Sequence, residues 1–268
     1  MSIDLVSRKK IVVFLCISTM FVLCLYYLPT AEPSFVMYLD RYTPLTYSSN
    51  TLTLAGKKAF LVQHKHSTAI ELLKLAVSRD ENNPDAWFLL GRVLFVEGRL
   101  QESANAYRQA IHLDSQNEQA YYGLGLTNGY LKDYKSAEFD FLQYLKIIEL
   151  KKANGDYATY PTGHWAGYND LAWVYFLQGN FQKSEEISRS ALMQYSNPWL
   201  LNMLGSSLLN QGKKTEARYY FQMAKIYLEN MTAEQFGEAY SGDDKVWHAQ
   251  GFLEMKKAVD DNINLTND

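Results

Sequence analysis

The chain has 268 residues, a formal net charge of −3 and a hydrophobic share of 47%. That length and apolar content suffice for a sizeable core, and with no basic block beyond the first ten residues the electrostatic footprint of a nucleic-acid binder is missing. Both cysteines, Cys16 and Cys24, lie in one apolar run, so the rest of the chain has neither a disulfide framework nor a thiolate metal site.

Residues 1–10 carry Arg8, Lys9 and Lys10, and residues 11–28 then run without a charge. At the helical rise this run reaches roughly 27 Å, enough to cross a hydrocarbon core with little tilt. No further basic residue appears until Arg41. The charge bias predicts a single transmembrane helix over 11–28, residues 1–10 in the cytoplasm and everything after Leu28 on the far side. A cleaved secretory signal is the competing reading. The run is longer than such signals usually are, and Pro29-Thr30-Ala31 fits the small-x-small cleavage pattern poorly. Residues 29–50, with Pro29, Pro33 and Pro44 and no periodicity, read as a tether.

From residue 84 a pattern recurs at intervals of about 34 residues. Trp87, Leu90, Gly91, Gly98, Tyr107 and Ala110 return as Tyr121, Leu124, Gly125, Lys132, Phe141 and Tyr144. They return again as Tyr168, Leu171, Ala172, Gly179, Ser188 and Ala191, then as Leu201, Leu204, Gly205, Gly212, Phe221 and Ala224. Within a unit, Trp87, Leu90, Gly91 and Leu94 fall on one helical face, Gly98 breaks the chain, and Ala104, Tyr107, Ala110 and Ile111 define a second amphipathic helix. Neither helix can bury its apolar face alone, so stability has to come from neighbouring units.

This set of slots resembles the tetratricopeptide repeat (TPR), whose signature is Trp-x-x-Leu-Gly followed by a tyrosine and a spaced alanine, aromatic and alanine. The resemblance covers about residues 84–229. One period earlier, Ala69, Leu73 and Ala76 fill second-helix slots of a degenerate repeat over 51–83. It implies an all-α fold: a TPR-type α-solenoid of stacked helix-turn-helix repeats behind a single N-terminal transmembrane helix. Two repeats are expected over 84–150 and two over 165–230. Lys132 to Gly179 spans 47 residues rather than 34, and the surplus falls in a loop-like insertion over 151–164. Tyr144, a large ring in an alanine slot, should push the following helix away. Residues 231–260 read as C-terminal capping helices, with Asp243 or Asp244 as an N-cap and Phe252 and Val259 on a buried face. Residues 261–268 read as a disordered tail.

Chemistry is sparse. His64 and His66 sit two apart, a poor spacing for joint metal ligation on a helix. Gly123, Gly125 and Gly129 are off the dinucleotide spacing and have no preceding strand. No catalytic, cofactor or metal residue is nominated, and the chain is expected not to be an enzyme. In TPR proteins the first helix of each repeat lines a concave groove. By that resemblance the lining here is Phe88, Arg92 and Phe95, then Tyr122, Leu126 and Tyr130, then Asn169, Trp173 and Phe176, then Trp199, Asn202 and Leu209. The amides of Asn169 and Asn202 suit an extended peptide backbone, and Arg92 suits a ligand carboxylate. The Lys/Asn/Arg set of the chaperone-tail-binding TPR proteins is not reproduced.

The resemblance implies a membrane-anchored scaffold that binds a protein or peptide partner in this groove on the non-cytoplasmic side, periplasmic if bacterial. A fixed structural subunit of a membrane complex, held by its anchor and convex face, is the alternative. The partners expected are that ligand, the lipid bilayer through residues 11–28, and, as another occupant of the groove, a second copy of the chain. No nucleic acid and no cofactor are expected.

Overall fold

The computed structural model describes residues 47–155, 165–239 and 245–267. The expected membrane span at 11–28, the tether as far as residue 46, most of the insertion and the caps Asp243 and Asp244 lie outside these residues. Among the described residues every regular element is helical, and no helix is long and apolar enough to cross a membrane. The chain divides into two compact units, residues 1–97 and 98–268.

In the first unit, α1 (Ser49–Leu61), α2 (His66–Arg79) and α3 (Pro84–Val96) pack on one another. Leu52, Ala59, Ala69, Leu72, Leu73 and Ala76 are fully buried between them. Asn83 does two jobs. Its Oδ1 accepts the Ala86 N–H at 3.1 Å to start α3, and its Nδ2 donates to Ser49 Oγ at 2.8 Å, tying that start to α1.

The second unit runs through α4 (Leu100–Leu113), α5 (Glu118–Tyr130), α6 (Tyr134–Ala153), α7 (Trp165–Leu177), α8 (Phe181–Leu192), α9 (Pro198–Asn210), α10 (Lys214–Glu229), α11 (Ala233–Ala239) and α12 (Lys245–Asn264). From α4 to α10 each helix packs on the next, and α7 also touches the other first helices, α5 and α9. Asparagine or aspartate opens four of these helices. Asn117, Asp133, Asn180 and Asn197 each accept the backbone N–H three residues on, at 2.9–3.2 Å.

Two local devices set the spacing. The first is a left-handed residue at the turn inside each repeat: φ is 71° at Gly98, 73° at Gly179 and 76° at Gly212. Lys132 takes the same conformation at 63°, and so does His64, one period earlier, at 53°. A side chain there costs about 1 kcal/mol or more. The second device is a ring seated on a glycine of the partner helix. A Cβ at Gly205 would lie 2.6 Å from the Phe221 ring, and one at Gly125 would lie 3.0 Å from Phe141.

Tyr144 does not push α7 away. Its ring lies over Gly167, where a Cβ would come within 2.3 Å, so a glycine in the next helix makes room for the large side chain. The insertion begins later than predicted. α6 continues through Ala153 because Lys151 Nζ reaches Glu118 Oε2 at 2.6 Å and Lys152 Nζ reaches Gln194 Oε1 at 3.3 Å. The expected disordered tail is instead helical to Asn264. Ile263 packs on the Leu204–Leu208–Phe221 cluster, and Thr266 is buried with its hydroxyl on the Ile263 carbonyl. Hydrophobic docking outweighs fraying there.

These devices predict opposite responses at two positions in urea unfolding. Lys132→Gly raises the midpoint by the equivalent of about 1 kcal/mol, since it removes the left-handed penalty. Gly205→Ala lowers it by about 1–3 kcal/mol because Phe221 is fully buried and has nowhere to retreat. A lower midpoint for Lys132→Gly would refute the strained-turn reading.

Candidate interaction surface

The first helices of the second unit each bury one face and leave a partly exposed stripe. On α5 the stripe is Tyr122, Leu126 and Tyr130; on α7 it is Asn169, Asp170, Trp173 and Phe176; on α9 it is Asn202, Ser206 and Leu209. Because α7 lies between α5 and α9, the stripes form one wall. Eight of the twelve groove residues expected from sequence lie on it.

Its centre is organised by a carboxylate. Asp170 Oδ2 accepts from the Tyr122 hydroxyl at 2.7 Å, which joins α5 to α7, and its Oδ1 accepts from Asn169 Nδ2 at 3.2 Å. Burial pushes the Asp170 carboxyl up to about 6, against the lowering effect of those two donors. Asn169 Oδ1 is itself buried without a hydrogen-bond partner. Beyond it, the Trp173 ring lies 5.7 Å from that of Tyr130, which is 59% exposed. Gly129 lets Trp173 lie this close to α5, since a Cβ there would meet the indole at 2.8 Å. Phe176 sets its ring edge-to-face on Phe181 at 5.2 Å.

The remaining expected residues are placed differently, and Asn202, although on the wall, is already engaged. Trp199 is buried, stacked on Trp165 at 4.8 Å and in ring contact with Phe236 of α11 at 4.9 Å. Asn202 Oδ1 accepts from Asn262 Nδ2 of α12 at 3.0 Å. The C-terminal helices therefore occupy the end of the wall. Phe88 and Arg92 belong to the first unit, where the Arg92 guanidinium lies over the Phe60 ring at 5.5 Å and near the Phe88 ring at 6.0 Å. Arg92 thus already has π partners.

Sequence reading missed Asp170, although a signal was present: it is the only charged residue in Trp165–Leu177. It also missed a cleft of about 270 Å³ elsewhere on the unit, lined by Arg108, Leu124, Asn128, Lys135, Phe139 and Asp140 among others. At its floor Asn128 Nδ2 donates to Asp140 Oδ2 at 2.7 Å, both residues being buried. Burial raises the Asp140 carboxyl to about 7. Glu185 behaves oppositely. Burial opposes its ionisation, yet hydrogen bonds from Lys213, Arg189 and Gln211 outweigh it and hold the group down at about 2. Among the described residues no cluster suited to a metal ion is present. His66 instead meets Glu97 at 2.7 Å.

Comparison with known proteins agrees with the repeat architecture. A family profile described as TPR repeat matches residues 91–129, and one described as tetratricopeptide repeat matches 118–149. The chain is 35% identical over 74 residues to the Cell division cycle protein 27 homolog of Caenorhabditis elegans, a match spanning 28% of this chain and only 9% of that protein. Among solved structures, MamA superposes with a TM-score of 0.57 at 20% identity, covering 65% of this chain and 95% of its own. Pseudomonas aeruginosa PilF gives 0.54 at 17%, covering 78% and 90%. PilW, a widely conserved type IV pilus biogenesis factor, gives 0.56 at 18%, covering 81% and 92%. The chain carries TPR repeats, and its fold is an all-α, TPR-like solenoid of stacked helix pairs. These relatives indicate no catalytic family.

The buried acids set a pH dependence with a definite sign. Asp140 holds its proton more tightly folded than unfolded, so its ionisation costs stability above about 7, a cost that fades as pH falls towards 3.8. Glu185 contributes stability above 4.5 that is lost as pH falls towards about 2. Asp140→Asn should therefore stabilise the protein at pH 8 by on the order of 1–4 kcal/mol and lose that advantage near pH 4. Thermal unfolding of both proteins across this range checks it; a pH-independent difference would contradict the assignment.

Proposed function

We propose that this chain is a membrane-anchored TPR scaffold that binds a protein or peptide partner along the wall formed by α5, α7 and α9. The observation that carries the reading is the pairing of exposed aromatic surface at Tyr130 and Trp173 with the buried, unpartnered amide oxygen of Asn169. A buried acceptor without a donor costs free energy, and a partner's backbone N–H is a fitting donor. Partly exposed aromatic surface is the kind that marks a binding site.

Anchoring through residues 11–28, with the repeats on the non-cytoplasmic side, is supported by the uncharged run behind Arg8, Lys9 and Lys10. A role in assembling an envelope or membrane complex is supported by the fold shared with PilW, a pilus biogenesis factor. The second reading, a fixed subunit using its convex face, draws on Phe139 and Leu142 of α6, which are 57% and 44% exposed. A second copy of the chain is the other candidate partner.

Affinity capture from gently solubilised membranes should recover a partner with the wild type and lose it with Asn169→Ala/Trp173→Ala at unchanged helicity. The same proteins in fixed ratio with both would favour the structural subunit. Alkaline carbonate extraction tests the anchor separately. The full chain stays with the membrane and a chain lacking residues 1–28 is released; release of both would remove the anchor from the proposal.

A further inference from the structure

We infer that the partner bound on this wall presents a basic side chain, lysine or arginine, and that Asp170 is its acceptor. This rests on reading the α5–α7–α9 wall as the partner-binding surface, and it adds the chemistry of the partner. Asp170 is the only charged residue on the partly exposed stripes of the three helices. It is held by two neutral donors, Tyr122 and Asn169, and no cation pairs with it among the described residues. Glu118 is matched by Lys151, and Glu185 by Arg189 and Lys213, whereas Asp140, away from the wall, is held by Asn128.

A carboxylate in a low-dielectric wall gains most from a cation that arrives with its own donors. Charge complementarity therefore selects the occupant. The aromatic pair one turn along α7 suits the same guest, since Trp173 and Tyr130 offer ring faces to an ammonium or guanidinium group and apolar surface to its methylene stem. An acidic segment, the opposite choice, would meet uncompensated repulsion at Asp170.

The test uses the full chain in detergent micelles and three short capped peptide libraries. Each is degenerate in Ala, Leu and Tyr, apart from a central Lys, Arg or Gln. Anisotropy of the labelled libraries should show the Lys and Arg sets binding about tenfold or more tighter than the Gln set. Asp170→Asn, which keeps the shape and removes the charge, should bring the three together. Tyr122→Phe, which keeps the charge, should leave the preference in place. Equal binding of all three libraries to the wild type, a preference that survives in Asp170→Asn, or its loss in Tyr122→Phe would overturn the inference. If all three bind equally and Trp173→Ala weakens each, the basic-side-chain inference falls while the wall remains a binding surface. If none binds, or Trp173→Ala changes nothing, the wall reading falls with it.

Discussion

The contact on which the rest of the second unit depends is an aromatic ring pressed against a glycine of the partner helix. A helix pair cannot bury its own apolar face, so the stack is stable only if successive helices come close enough to share one core. Phe141 over Gly125 and Phe221 over Gly205 achieve this, both rings being fully buried. The contact also fixes rotation about each helix axis. The wall borders these contacts: Tyr122 packs its ring on Phe141 and Tyr144, at 5.9 and 5.2 Å, while its hydroxyl reaches Asp170 on the next first helix. The position of the wall is thus tied to the packing contact.

A stack has an end, and the end needs covering. Here a run of aromatic contacts provides it: Trp165 on Trp199, Trp199 on Phe236, and Phe236 on Phe252, at centroid separations of 4.8, 4.9 and 5.4 Å. It joins α7 and α9 to the two C-terminal helices. Each ring pair adds about 0.5–1.5 kcal/mol beyond its burial. The arrangement consumes two side chains that the TPR resemblance assigns to the groove, Trp199 through stacking and Asn202 through Asn262. The free wall is shorter than the run of first helices.

The repeats were legible in the sequence because their constraint is local. Glycine or a tolerant residue is needed at the left-handed turn, and small and large residues must alternate at fixed spacing across the pair; Gly98, Gly179 and Gly212 announce the first and Gly205 with Phe221 the second. Turn strain hides more easily. Lys132 stood out as a departure, but His64 was weighed only as a poorly spaced metal ligand while its backbone was repeating the same turn one period earlier. What was not legible depends on partners far apart in the chain. Tyr144 looked obstructive because its counterpart, Gly167, lies beyond the insertion. Asn202 looked available because Asn262 is sixty positions away. The tail looked frayed because polarity, not docking, is what a short segment displays.

Two buried acids show how the same residue type serves different ends. Asp140 and Asn128 are hydrogen-bonded at the floor of a cleft, and burial raises the carboxyl to about 7. It needs no counter-charge from outside. Burial raises the Asp170 carboxyl as well, to about 6, and this group is embedded among Tyr122, Asn169 and an otherwise uncharged helix. A fold that needed only a hydrogen-bond acceptor for Tyr122 would be served by an amide without the desolvation cost of an ionised group. The charge is intelligible if something completes it. Its position among the partly exposed side chains of α7 is where the basic side chain of the proposed partner would complete it.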